Sequence, residues 1–138
     1  MNNYIMWDFD HTLAYRDGMW TKTIYDLIVE NNNYEIDIEK IRIITKNGFP
    51  WHNADISHQD LMQNLSWWDY LKTYFIKELM ILGIDVQNAT SISNGIQEKY
   101  LDLEHWALFS DTKSALKALL DKGYKHLILS NHVPCIWQ

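Results

Sequence analysis

A mixed α/β fold, with a parallel-sheet core interrupted by a helical insertion, is predicted by three observations. Two short apolar runs, Tyr4-Ile5-Met6-Trp7 and His126-Leu127-Ile128-Leu129, each end abruptly at a polar residue, Asp8 and Ser130. A helix-like segment and a glycine stand directly before the second run. Nearly everything between them carries helical rather than alternating apolar spacing.

The first run lacks polar alternation, which suits a strand buried on both faces of a parallel sheet. The first helix follows from Trp20, Ile24, Leu27 and Ile28 on one face. Asp37 opens a second, with Ile38, Ile41 and Ile44 inside and a stop near Gly48. Ser57-x-x-Asp60 and Ser66-x-x-Asp69 both resemble capping boxes, with Asp in place of Glu. A longer helix runs from Leu71 through Tyr74, Phe75 and Leu79 to Gly83, and another from about Asn88 to Leu101. The segment from Asp111 to Gly123 reads as a capped helix. Leu116, Leu119 and Leu120 share one face and Gly123 takes the exit position. Helix, glycine turn and buried strand in that order form half of a βαβ unit. The expected organisation is a partial core from 1–14 and 109–138, with a helical insertion over 15–108.

Composition narrows the function classes. Of 138 residues, 47% are apolar, and seven Trp and eight Tyr supply enough bulk for a packed core. The formal charge of −6 offers no basic face, so a nucleic-acid partner is not expected. Lys113, Lys117, Lys122 and Lys125 read as helical surface charge. Cys135 is the single cysteine and read as inert. The N-terminus shows no basic leader before an apolar stretch, and no segment reaches about 18 consecutive apolar residues. No membrane association is expected, and a reducing, cytoplasmic setting is.

The chemistry concentrates in Trp7-Asp8-Phe9-Asp10-His11-Thr12-Leu13. Residues two apart in a strand face the same way, about 7 Å apart. Carboxylates at the carboxyl end of a buried strand meet the crevice where open α/β sheets bind ligands. Such a pair attracts Mg²⁺, which takes one or two carboxylates plus phosphate oxygens. A carboxylate can also attack phosphorus, and a second one can protonate the leaving oxygen and later activate water. The plain alternative is a pair of turn-forming acids.

The whole pattern resembles the haloacid dehalogenase superfamily. An apolar strand followed by Asp-x-Asp-x-Thr-Leu looks like its first motif, and Leu127-Ile128-Leu129-Ser130-Asn131 like its second. The resemblance implies a Rossmann-like core with a helical cap, and assigns Asp8 as nucleophile and Asp10 as general acid and base. It implies Thr12, Ser130 and Asn131 as phosphate-binding residues. It also implies Mg²⁺ held by the Asp8 carboxylate and the Asp10 backbone carbonyl. An acid at position 10 favours phosphate-ester chemistry over dehalogenation, because a halide leaves without a proton. The expected activity is that of a Mg²⁺-dependent phosphatase acting on a small phosphorylated metabolite. His11 stands where the family most often has glycine, which asks whether the turn needs a positive φ.

The family also uses a lysine and a second acidic pair after the second motif. The residues from Asn131 to Gln138 include no Lys, Asp or Glu. The chain is therefore expected to be a C-terminally truncated member. The alternative function is an inactive fragment acting only through protein contacts, or without function. A sheet lacking neighbours exposes edge backbone and apolar surface, so pairing with a second copy is expected.

Other residues have bland readings that outweigh sharper ones. His132 reads as an exposed loop residue rather than a substrate contact. Trp51-His52-Asn53 reads as a substrate loop or as packing between helices. Trp67-Trp68 with Tyr70 and Tyr74 reads as core packing before a base-stacking platform. Arg16 is taken as a surface residue, with an anion contact as the alternative.

Overall fold

A computed structural model describes residues 3–31, 34–62, 66–131 and 133. The chain divides into two compact units. One joins the residues up to Asp17 with Asp102–Val133, and the other is built on Gly18–Leu101.

The first unit is the α/β part. Strand β1 (Asn3–Trp7) pairs in parallel with β4 (Tyr124–Ile128), in the register Asn3 with Tyr124 through Trp7 with Ile128. Strand β2 (Ala14–Arg16) pairs antiparallel with β3 (Trp106–Leu108). Helix α5 (Thr112–Asp121) leads into β4 through Gly123, whose φ of +85° is a left-handed turn that glycine adopts without strain. Asp111 occupies the position before α5 but makes no side-chain cap. The Thr112 hydroxyl instead donates to the Leu13 carbonyl at 2.8 Å, tying the helix start to the loop after β1.

Burial of the sheet departs from expectation. Ile5, Trp7, Tyr124 and His126 are half-buried, whereas Tyr4, Met6, Leu127 and Leu129 are 52, 66, 48 and 69% exposed. The alternation is physical: successive side chains point to opposite faces, and only one face has α5 beside it. Among the described residues no second layer covers the other. Leu120, expected on the buried face of α5, is 60% exposed, while Leu116 and Leu119 are half-buried.

The second unit is helical: α1 (Met19–Asn31), α2 (Ile38–Thr45), α3 (Ser66–Ile81) and α4 (Val86–Leu101). The predicted apolar faces are the ones buried, with Ile24, Ile28, Ile41, Leu71, Phe75, Leu79 and Ile92 essentially inaccessible. Trp20 stacks on Tyr100 with ring centroids 3.8 Å apart and planes 11° apart. Asp37 caps α2 by accepting from the Glu39 N–H at 2.9 Å. The cap of α4 is Asp85, which accepts from the N–H groups of Gln87 and Asn88, each at 3.0 Å. The helix therefore starts before the Asn88 that the sequence suggested. Of the two capping boxes, Asp60 lies in a 3-10 turn (Gln59–Met62), and the Ser66 hydroxyl donates to the Asp60 carbonyl at 2.7 Å.

The turn after α2 is set by Gly48, at φ +80°. Tyr70 donates to its carbonyl at 2.8 Å, and Tyr74 donates to the Ile44 carbonyl at 2.7 Å. A Cβ on Gly48 would strike the Tyr74 ring, so the position is closed to larger residues by conformation and by space. Lysines sit in exposed pairs such as Lys22–Asp26 and Lys117–Asp121, consistent with solvated helical charge. Among the described residues, no helix is long and apolar enough to cross a membrane.

Candidate active site

Parallel pairing brings the carboxyl ends of β1 and β4 to the same level, which antiparallel pairing would not. The ladder extends one step past Ile128, because the Leu129 N–H donates to the Trp7 carbonyl at 2.8 Å. The next residue on each chain segment is the one with chemistry. The Ser130 hydroxyl donates to Asp8 Oδ1 at 2.6 Å, across 122 positions of sequence. The Phe9 N–H donates to the same oxygen at 2.8 Å.

Two donors on Oδ1 fix the orientation of the carboxylate. Oδ2 accepts no hydrogen bond among the described residues, and Asp8 is exposed. The carboxylate is held by one oxygen and open at the other, whose lone pairs are free among the described residues.

The loop that follows is folded on itself. The Phe9 carbonyl accepts from the N–H groups of Leu13 and Ala14 at 3.0 and 3.1 Å, and His11 N–H donates to the Ala14 carbonyl at 2.8 Å. Leu13 and Ala14 are buried and pin the loop. His11 has φ +59°, so the turn does require the left-handed conformation that glycine accommodates more easily. The strand ends at Trp7, so Asp8 and Asp10 do not share a strand face as the sequence suggested. Asp10 belongs to the turn, bridged through its backbone to Ala14, and is half-buried with Oδ1 shut from solvent.

Thr12 and Asn131 are exposed, and among the described residues neither side chain bonds to Asp8 or Ser130. His132 and Cys135 lie outside the described residues. Arg16, expected at the surface, is only 5% exposed, in β2 opposite Trp106. Trp51 stacks on Phe49 at 4.5 Å and on Trp67 at 5.5 Å, and Trp67 and Trp68 are buried, so these aromatics belong to the helical core. The sequence reading missed the contact between Trp7 and His126 beneath this site. The Trp7 Nε1–H donates to His126 Nδ1 at 2.9 Å. No local signal marks a contact between residues so far apart in the chain.

Neither a family model nor a curated protein matches the sequence. Among solved structures, the chain is similar to the 2-haloacid dehalogenase from Pseudomonas syringae pv. Tomato DC3000. The TM-score is 0.56 at 16% identity, over 99% of this chain and 58% of that one. The chain thus spans little more than half the length of the dehalogenase it resembles. At this identity the likeness is one of fold alone.

Proposed function

We propose that the chain carries a phosphatase-type hydrolase site of the haloacid dehalogenase kind, acting on a small phosphorylated metabolite. The observation that supports it most directly is the Ser130–Asp8 hydrogen bond of 2.6 Å at the joint carboxyl end of β1 and β4. In this reading the free Oδ2 of Asp8 attacks phosphorus, forming an aspartyl-phosphate as the ester oxygen departs. Asp10 gives its proton to that oxygen, then takes one from the water that cleaves the acyl phosphate, returning Asp8 to its carboxylate. The Ser130 hydroxyl, with Thr12 and Asn131, holds non-bridging phosphate oxygens. The helical insertion expected over 15–108 is, in this reading, the part that selects substrate.

Asp10 favours phosphate esters over haloacids, since only an ester oxygen needs a proton to leave. Mg²⁺ would be held by the Asp8 carboxylate and the Asp10 backbone carbonyl, and it would neutralise phosphate charge when bound. Among the described residues, no group of three or more His, Cys, Asp or Glu side chains gathers as a metal site. One carboxylate and one carbonyl leave most of a six-coordinate shell to water and phosphate oxygens.

The test is phosphate release from an aryl phosphate with and without Mg²⁺, comparing the chain with Asp8→Asn. Halide release from a 2-haloacid is followed in parallel. Mg²⁺-dependent phosphate release that disappears in the variant is the expected result. Halide release alone reassigns the chemistry to dehalogenation. Inactivity in both assays leaves the architecture standing and rejects the hydrolase reading for this chain, in favour of a fragment that acts through protein contacts or has no function.

A further inference from the structure

His126 joins three elements with one ring. Its Nδ1 lies 2.9 Å from the Trp7 indole nitrogen on β1, and its Nε2 lies 3.0 Å from the Leu116 carbonyl on α5. The two rings sit 5.9 Å apart at 47°. An indole N–H can only donate, so Nδ1 must be the acceptor, and the ring hydrogen must sit on Nε2. There it faces a carbonyl, which can only accept. The neutral Nε2–H tautomer is the single form that satisfies both partners.

The position of this link gives it consequence. Trp7 directly precedes Asp8, and its carbonyl accepts from Leu129, the residue before Ser130. The β1–β4 ladder spans only the pairs from Asn3–Tyr124 to Trp7–Ile128, and α5 lies against one face of it. In so small a sheet a side-chain pin from Trp7 in the last pair to His126 in the middle pair resists sliding or splaying of the strand ends. Those ends carry the Ser130–Asp8 contact.

We propose that His126 is a positioning residue that, through Trp7, holds Asp8 within reach of the Ser130 hydroxyl. Its effect on turnover rests on Asp8 being the nucleophile; its effect on the geometry does not. A displacement of about 1 Å at a reacting group can cost on the order of a hundredfold in rate. Loss of the pin is therefore expected to be felt in turnover rather than in substrate binding.

Nitrogen NMR of the imidazole ring in the intact chain reads the tautomer directly. Two substitutions of similar size then separate the two bonds. His126→Asn keeps an amide oxygen close to where Nδ1 sits, and His126→Gln reaches instead toward the Nε2 position. Trp7→Phe removes the donor while keeping an aromatic ring. The amide signal of Phe9, whose N–H bonds Asp8 Oδ1, reports the carboxylate orientation without any need for activity.

The expected result is an Nε2-protonated ring in the parent chain. Phe9 and Ser130 amide signals should shift in Trp7→Phe and His126→Gln, with kcat for an aryl phosphate lowered on the order of tenfold and KM unchanged. His126→Asn should recover most of both. A ring protonated on Nδ1, or Phe9 and Ser130 signals unmoved in folded Trp7→Phe, overturns the proposal. Equal losses in the Asn and Gln variants overturn it as well. A parent chain that releases no phosphate rejects the phosphatase reading, while the ring and amide signals still decide this one.

Discussion

Ser130 and Asp8 lie 122 positions apart in sequence and 2.6 Å apart in space, hydroxyl to carboxylate. The bond gives Ser130 two roles in succession. Under the proposed function it first orients the Asp8 carboxylate and then turns to a phosphate oxygen when substrate enters. Ser130→Ala removes both, leaving Asp8 held by the Phe9 N–H alone. We expect kcat/KM for an aryl phosphate to fall on the order of a hundredfold, as for loss of a donor to developing charge. Steady-state kinetics on folded variant checks this, and an unchanged kcat/KM removes Ser130 from the site.

The role assigned to Asp10 has a signature that plain structural damage lacks. A general acid matters most when the leaving oxygen is strongly basic. Asp10→Asn should therefore slow hydrolysis of an alkyl phosphate by on the order of a hundredfold or more, and that of an activated aryl phosphate by much less. Equal slowing of both would mean that the half-buried Asp10 carboxyl supports the turn rather than moving a proton.

His11 carries a strain that its sequence position announces. With φ +59° it occupies the left-handed region, which costs a residue with a Cβ about 1–2 kcal/mol. Glycine removes that strain but adds freedom to the unfolded chain, by roughly 0.5–1 kcal/mol. His11→Gly is therefore expected to be neutral or stabilising by up to about 1.5 kcal/mol in urea unfolding. A clear destabilisation would show that the exposed imidazole makes a contact worth more than the strain.

What could be read from the sequence was what depends on neighbours along the chain. Asp37 announced its helix because a cap acts over two or three residues. Asp8 and Ser130 stood out as candidates because each closes an apolar run, and the fold brings the two together. Periodicity marked Trp20, Ile24, Leu27 and Ile28 as a buried face. What depends on distant partners was not readable. Strands β2 and β3 have three residues each, too few to show alternation. Arg16 looks like any surface arginine until β3 is placed beside it. Met6 and Leu127 look like core residues, and only the count of layers in the sheet exposes them.

Tyr74 ties the titration of the helical unit to alkaline pH. Its pKa is raised from 10.0 to about 12, first by burial, then by the charges of Glu78 and Tyr70. Because the folded value lies above the unfolded one, the stabilising contribution is complete below pH 10.0 and disappears as pH rises through about 12. Ultraviolet titration should show one tyrosine ionising late. Tyr74→Phe should lose that late step, along with the hydrogen bond to the Ile44 carbonyl, worth about 1 kcal/mol. A variant that retains the late step would assign it to another tyrosine.

The exposed sheet face makes the last prediction. Met6, Leu127 and Leu129 are exposed apolar residues on one face of β1, β4 and the residue beyond, next to Tyr4 with the Lys125 ammonium 5.7 Å from its ring centre, and each strand has an unpaired edge among the described residues. Such surfaces associate unless covered or charged. We propose that a second copy of the chain covers this face, so the intact chain should sediment as a concentration-dependent mixture of monomer and dimer. Met6→Glu with Leu127→Lys should shift it to monomer. Opposite charges placed opposite each other in the register, Met6 with Leu127, keep the strand pair itself compatible. A parent chain that remains monomeric as its concentration is raised would show that the strip stays open to solvent, and the double variant would then change nothing.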